Sequence, residues 1–345
     1  MELTTDYILP QELTGYVRAA LADYNFNQFT LSRYLPNRTI QDIDYRVDRG
    51  GAGLADMGSF RTYDAESKVA DRLSLSRIMG ELPPISLKTR LSEYARLREK
   101  NVVDQQVVDA ILNDARKLTR DTAARIEKAR GDTLVTGTTP FAEFGAGFTV
   151  DWGRRGSHTV TAGTLWSNPS ADIVSDLEAW CLVYETTNGV QPGSVLVSRQ
   201  TLAYMMRNAS VRNLVFPASS TQPTVVGLDR LNEAIMAFGL PDIEVYRSQV
   251  NVAGSATQVI PTNKLLLLPE EVAPDDYEGT QLGMTLWGQT LEAQEPGYGI
   301  EEADQPGIVA GAYKTQDPVA IWTKASAIGM PVLANPDLSF CATVA

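Results

Sequence analysis

Few side chains in this chain have the types and spacing that chemistry requires. There is a single histidine, His158. Any hydrolase built on a Ser-His or Cys-His pair would depend on it as the general base. It follows "RRGS" in a stretch whose alternation marks a hairpin, so a surface or turn histidine is expected. The two cysteines, Cys181 and Cys341, lie far apart in sequence. With one histidine they are too few for a Cys/His zinc site. They form no disulfide framework and are expected as small buried hydrophobes in a reducing compartment. Glu301, Glu302 and Asp304 are the carboxylates hardest to dismiss. With backbone carbonyls they have the chemistry to hold Ca²⁺ or Mg²⁺, and as a pair they could act as acid and base, but they lack calcium-loop spacing. No catalytic, metal or cofactor-binding residue is assigned.

The glycine-rich stretches give no phosphate cradle. "GGAGLADMG" supplies Gly51 and Gly53, but Asp56 stands where a dinucleotide fingerprint needs its third glycine, and no lysine follows as in a P-loop. "GDTLVTG" lacks the Lys-Ser/Thr pair as well. Gly50, Gly51, Gly53 and Gly58 are better explained by backbone freedom.

The formal net charge of -12 repels phosphate, so sequence-independent nucleic-acid binding is not expected as the main task. Hydrophobic residues at 43% and charged residues at 21% place the chain among ordinary globular proteins, with length enough for two or three domains. The N-terminal "MELTTDYILPQEL" has no basic, apolar signal-peptide pattern, and no window approaches a membrane span. A soluble, reducing compartment is expected.

The elements suit mutual packing better than catalysis. Residues 1–38 read as an arm, ordered only if it lies on something else. Residues 39–80 carry period-2 alternation on either side of the glycine-rich gap. Ile43, Tyr45 and Val47 alternate with acids and Arg46, and Leu73 and Leu75 alternate with Arg72 and serines. Such a ribbon cannot bury its apolar face alone. Beyond Pro83 and Pro84, helical spacing of Leu91, Tyr94, Ala95, Val108, Ile111, Ala115, Leu118, Thr122, Ile126 and Ala129 predicts a rod, as one helix or two nearly collinear ones. Gly131 is placed to end it, and the length is on the order of 55–60 Å. "FTVDWGRRGSHTVTAGTLW" reads as a hairpin turning at Arg154–Ser157.

From about 170 to 270 the texture is α+β. One helix ends at Gly189, "SVLVS" is a buried strand, and Ser198 caps the next helix. A further helix closes at Gly239, "DIEVYRSQVNV-AGSA-TQVI" reads as a hairpin, and "KLLLLP" is a buried strand. The remainder to Ala345 is strand-like. Between Lys264 and Lys314 there is no Lys or Arg but ten Asp and Glu, while the rod holds about a third of all basic residues. That asymmetry suits electrostatic complementarity between copies of the chain, or simply two solvated faces.

The order of these pieces resembles the major capsid protein E family of tailed phages. The resemblance rests on "VDWGR" (Val150 to Arg154) after the long helix, on "LWS" (Leu165 to Ser167) before an acidic helix start, and on the terminal "PVLANPDLSFCATV" with its Asn-Pro-Asp turn. It runs from about residue 25 to the end.

What the resemblance implies is an α+β tailed-phage capsid fold. It comprises an N-terminal arm (1–38), an extended β-loop (39–85), a peripheral domain (86–169) with a spine helix at about 86–131, an axial domain (170–270), and a return to the peripheral sheet (271–345). Hexamers and pentamers would form an icosahedral head shell around double-stranded DNA, in a virion assembled in the host cytoplasm. No enzymatic activity is implied. Ile43, Tyr45, Val47, Leu73 and Leu75 are then the apolar face laid on a neighbour. Gly50, Gly51, Gly53 and Gly58 shape the loop, and Phe216 and Pro217 mark the loop at the capsomer centre. A separate scaffolding protein is implied because only a short arm precedes the ribbon. A portal and a decoration protein at the three-fold positions are also implied. Some relatives crosslink through a loop lysine; Lys68 lies on the returning side of this loop, but the lambda-type branch does not use that chemistry. Two other readings stay open: a cellular, encapsulin-like shell enclosing cargo protein, and an enzyme built on the carboxylates of 270–304.

Overall fold

The structure, a computed structural model, describes residues 2–49, 53–54, 57, 60–67, 76–94, 104–143, 146–216 and 223–345. The chain opens with strand β1 (Glu2–Leu3), helix α1 (Pro10–Asn27) and strand β2 (Asn37–Thr39). Strands β3 (Asp44–Arg49) and β4 (Ser76–Glu81) pair as an antiparallel ribbon, and β5 (Pro84–Leu91) follows. Next come helix α2 (Asp104–Thr136), the hairpin of β6 (Thr138–Glu143) and β7 (Ala146–Asp151), and β8 (Thr159–Thr161). The α+β stretch holds α3 (Ile173–Asn188), β9 (Ser194–Ser198), α4 (Arg199–Arg207), α5 (Ala209–Val215) and α6 (Leu228–Ala237), then β10 (Asp242–Tyr246), β11 (Gln249–Val252), β12 (Ser255–Gln258) and β13 (Lys264–Leu268). The chain closes with β14 (Gly283–Gly288), α7 (Leu291–Gln294), β15 (Val309–Gln316), β16 (Val319–Leu333) and β17 (Phe340–Thr343).

Two sheets organise these elements. The first runs β1-β15-β16-β14-β2, and β5 also pairs with β16. At 15 residues, β16 is long enough to serve three partners: β15 along 319–326, β5 along 321–328 and β14 along 328–333. Helix α2 is amphipathic, and Val107, Ile111, Ala115, Leu118 and Ile126 share one core with Leu13 and Val17 of α1 and Ile308, Ala310, Ile321 and Ala325 of the sheet. The many alanines let helix and sheet approach closely. The second sheet runs β10-β9-β13-β17-β8. All five residues of β9 are buried, as are Leu265 to Leu268, so this sheet is covered on both faces.

Several expectations need correction. The rod does not begin near residue 86. Pro84–Leu91 is a strand, because Ile85, Leu87, Thr89 and Leu91 alternate opposite the long β16. The continuous helix covers 104–136, 33 residues or about 50 Å. Gly131 lies inside the helix rather than at its end. A Cβ there would meet Val259 Cγ1 at 2.5 Å and its carbonyl oxygen at 2.8 Å, so the glycine admits a neighbouring segment. The helix ends instead at Gly137, whose φ of 72° is left-handed.

The pairing of β7 is also different: its partner is β6, while β8 runs parallel to β17. Likewise β10 does not form a hairpin with its successor. It lies parallel to β9, and the hairpin is β11–β12, turning through Ala253 and Gly254 at positive φ. The C-terminal segment does not return wholly to the first sheet. Strands β14, β15 and β16 do, but β17 crosses into the second sheet beside β13.

The arm expected at 1–38 lies, over its described residues, on this chain's own first sheet and α2. Leu13 and Val17 are fully buried, Thr14 hydroxyl donates to the Ala310 carbonyl, and Arg18 donates to the carbonyls of Ile308 and Pro306. Helix signals in the α+β stretch read as expected. Gly189 at φ 71° ends α3, the Ser198 side chain accepts from the Thr201 amide at the start of α4, and Gly239 at φ 76° follows α6.

Candidate assembly site

The ribbon divides into a buried root and a bare tip. At the root, Tyr45 and Val47 are buried in the chain's own core. The Tyr45 ring lies 6.2 Å from that of Trp152. Gly80, paired with Tyr45 across the ribbon, leaves room for it: a Cβ there would come within 2.6 Å of the Tyr45 hydroxyl. The expected apolar face for a neighbour is therefore not made by Ile43, Tyr45 and Val47 together. Two of the three are already covered by this chain's body, and only Ile43 is exposed.

Farther along the chain, Met57, Phe60 and Tyr63 stand at 96%, 109% and 99% of full exposure, while the more covered Leu54 lies against Gly189 at the end of α3. Sequence alternation missed them because they lie in the glycine-rich gap, spaced at three residues rather than two. Gly53 has φ 136°, a backbone state that other residues rarely adopt. Gly50, Gly51, Gly58, Lys68, Leu73 and Leu75 lie outside the described residues. At the other end of the chain's candidates, Phe216 is half-buried and packs on the core beyond α5 instead of standing free. Pro217 lies outside the described residues.

The "VDWGRRG" stretch is a structural junction. Gly153 turns with φ 71°, and the Arg49 side chain of the ribbon donates to its carbonyl at 2.8 Å. Arg154 donates to the carbonyls of Leu134 and Val135, both at 2.7 Å, closing off the C-terminal end of α2 where free carbonyls collect. Trp152 is fully buried, and its indole N–H donates to Thr139. Arg155 amide and guanidinium both hold Asp337 of the Asn-Pro-Asp turn, at 2.8 and 3.1 Å. The two stretches most distinctive in the sequence thus meet in space.

A second junction was not visible in the sequence. Glu127 and Arg130 of α2 are wholly buried, 3.1 Å apart. Glu127 accepts from the Leu31 amide at 2.9 Å and the Tyr246 hydroxyl at 2.6 Å. Arg130 donates to Thr285, Asn25 and Asn37. Burial lowers the Arg130 pKa while Glu127 raises it; burial and then Glu127 push the Tyr246 hydroxyl far up, keeping it a donor. Nothing in the one-dimensional pattern distinguishes these charges from the solvated ones around them.

The single histidine is buried, contrary to expectation, with the rings of Tyr184 and Phe340 at 6.2 and 5.5 Å. Cys181 and Cys341 are free and buried, and burial pushes the Cys181 thiol up to about 12. Of the ten acids of 270–304, Glu271 pairs with Arg33 and Glu292 with Lys324 inside the chain. Among the described residues, no group of three or more His, Cys, Asp or Glu is placed to hold a metal ion, and no helix is long and apolar enough to cross a membrane.

Comparison with known proteins identifies the architecture. No curated protein matches the sequence significantly. A protein assigned as a prophage capsid protein from Escherichia coli CFT073 superposes with a TM-score of 0.62 at 13% identity, over 96% of this chain and 99% of that one. A phage-related protein from Bordetella bronchiseptica RB50 gives 0.60 at 14% identity, over 95% of each chain. The fold is that of the tailed-phage capsid proteins. The profile of phage major capsid protein E matches residues 11–344, and with nearly the whole chain so covered, this protein belongs to the phage major capsid protein E family and is a structural protein of the virion capsid.

Proposed function

We propose that copies of this chain close into hexamers and pentamers of an icosahedral head shell, each copy using its ribbon tip to hold the next. The observation that carries this is the set of large side chains at Met57, Phe60 and Tyr63, nearly unshielded in a single chain. Burying an apolar side chain of this size contributes about 1.5–3 kcal/mol, so several of them strongly favour contact between copies. A body patch met by the next copy's tip is a head-to-tail contact, which closes a ring when the rotation allows.

In this reading, residues 39–85 are the extended loop. The helix α2 and first sheet form the peripheral part of the subunit. The second sheet and its helices gather at the five- and six-fold centres, with the loop around Phe216 and Pro217 nearest the axis. The negative chain encloses double-stranded DNA without trapping its phosphates. A separate scaffolding protein, a portal and a decoration protein at the three-fold positions complete the particle, which is assembled in the host cytoplasm. The chain's part is structural rather than enzymatic.

The test is assembly of purified wild type beside Phe60→Asp. Wild type gives closed particles containing DNA when made during infection, and Phe60→Asp gives folded, unassembled subunits. Normal particles from Phe60→Asp would overturn the tip's role. Particles filled with a cargo protein in place of DNA would favour a cellular shell of the same fold.

A further inference from the structure

Charge is distributed unevenly along the first sheet. Lys88 and Arg90 stand two residues apart on β5, whose one partner among the described strands is β16. That spacing puts them on one face of the sheet, and Trp322 of β16 lies opposite Arg90. The Lys88 ammonium is 4.8 Å and the Arg90 guanidinium 5.8 Å from the centre of the half-buried Trp322 ring. Both cations are exposed, and among the described residues no carboxylate pairs with either. Lys324, opposite Lys88, is already taken by Glu292. The indole thus holds two unneutralised cations side by side in a chain of net charge -12.

The complementary charge lies at the other end of the same sheet. The turn before β14 carries Asp275, Asp276 and Glu278, all exposed, within the stretch that has no Lys or Arg between Lys264 and Lys314. Of the cations that reach this turn from the arm, Arg33 is bound to Glu271 and Arg38 stacks on Tyr277 at 5.0 Å. The turn is fixed to the sheet: the Asn37 amide donates to the Pro274 carbonyl at 2.7 Å, Asn37 pairs with Thr285, and Thr285 pairs with Pro331. Pro331 lies about 30 Å along β16 from Trp322. The Debye length is about 8 Å at physiological salt, so the two patches barely attract one another within one copy. Unlike patches at opposite ends of one long strand meet instead when copies follow one another head to tail. A phosphate backbone would also meet the two cations, but the rest of the negative chain repels it.

We propose that the surface of Lys88, Arg90 and Trp322 is a docking site for a second copy of this chain, which presents its acidic turn of Asp275, Asp276 and Glu278. This rests on the reading of the chain as a shell subunit and is independent of the ribbon tip.

The experiment measures shell yield by sedimentation and electron microscopy, with urea unfolding of each isolated subunit alongside. Lys88→Glu with Arg90→Glu, and separately Asp275→Lys with Glu278→Lys, should each lower the yield about tenfold or more, because like charges then face one another. All four changes together restore opposite charges across the contact and should regain most of the wild-type yield. Lys117→Glu, at an exposed cation of α2 on the other side of the sheet, should match wild type. A milder cycle uses neutral changes: once Lys88→Gln and Arg90→Gln are in place, Asp275→Asn with Glu278→Asn should cost no further yield. Wild-type yield from either single-patch reversal would overturn the proposal. So would additive losses in the neutral cycle, an equal loss from Lys117→Glu, or a combined reversal whose subunits unfold at the wild-type midpoint yet stay unassembled. Normal shells with less packaged DNA from Lys88→Glu with Arg90→Glu would also overturn it and assign the surface to phosphate. Failure of wild type itself to form shells would overturn the subunit reading instead.

Discussion

Glu127 and Arg130 stand one helical turn apart on α2, 3.1 Å between charges, with no exposure of either side chain. Between them they hold the amide of Leu31, the side chains of Asn25 and Asn37, the Thr285 hydroxyl and the Tyr246 hydroxyl. Three separate stretches of chain, 25–37 and those around Tyr246 and Thr285, are thereby registered on one helix. Arg130→Ala should cost about 3–5 kcal/mol in guanidinium unfolding of the isolated subunit, because it strands a buried carboxylate. A loss below about 1 kcal/mol would mean the pair is solvated in solution.

The root and the tip of the ribbon should respond oppositely. Tyr45→Ala removes a core side chain and should destabilise the isolated subunit by about 3–5 kcal/mol. Phe60→Ala removes a fully exposed one, should leave subunit stability within about 0.5 kcal/mol, and should weaken assembly. Urea midpoints and sedimentation of the same two samples separate these effects.

Gly131→Ala inverts the usual helix rule. In an exposed helix interior this change stabilises by up to about 1 kcal/mol. Here the new methyl meets Val259 at 2.5 Å, and its backbone oxygen, which cannot rotate away, at 2.8 Å. Net destabilisation of about 1–3 kcal/mol is expected from thermal unfolding.

His158 makes subunit stability depend on pH. Burial lowers its folded pKa below the ordinary 6.5. Above that value the ring is neutral in both states and contributes no slope. As the pH falls through it, the unfolded chain takes up a proton that the folded chain resists, so stability drops toward acid by at most about 1.4 kcal/mol per pH unit for this one group. Urea midpoints between pH 7.5 and 5 should show a shallower slope for His158→Leu than for wild type; identical slopes would contradict this.

The sequence was informative where a feature is local. Gly189, Ser198 and Gly239 mark helix ends through backbone geometry and capping that act within a few residues. It misled where a distant partner decides. Leu91 fits a helical stripe, yet its stretch is a strand because the 15-residue β16 takes it as a partner. Gly131 looks like a stop, yet it is the gap into which Val259 packs. At the candidate site the ribbon itself was legible, but which of its side chains are exposed was not. Alternation pointed to Tyr45 and Val47, whereas both are buried in the chain's own core, Tyr45 beside Trp152 more than a hundred residues later, and the exposed side chains are Met57, Phe60 and Tyr63.

The most direct measurement is oxidative footprinting of Met57, the thioether at the ribbon tip, in free subunits and in closed particles of the same preparation. A side chain 96% exposed in the single chain oxidises readily to the sulfoxide. Contact with an adjacent copy should slow that oxidation by about tenfold or more, in line with the burial of one large apolar side chain. Equal oxidation of Met57 in both states would contradict the claim that sister copies cover the tip.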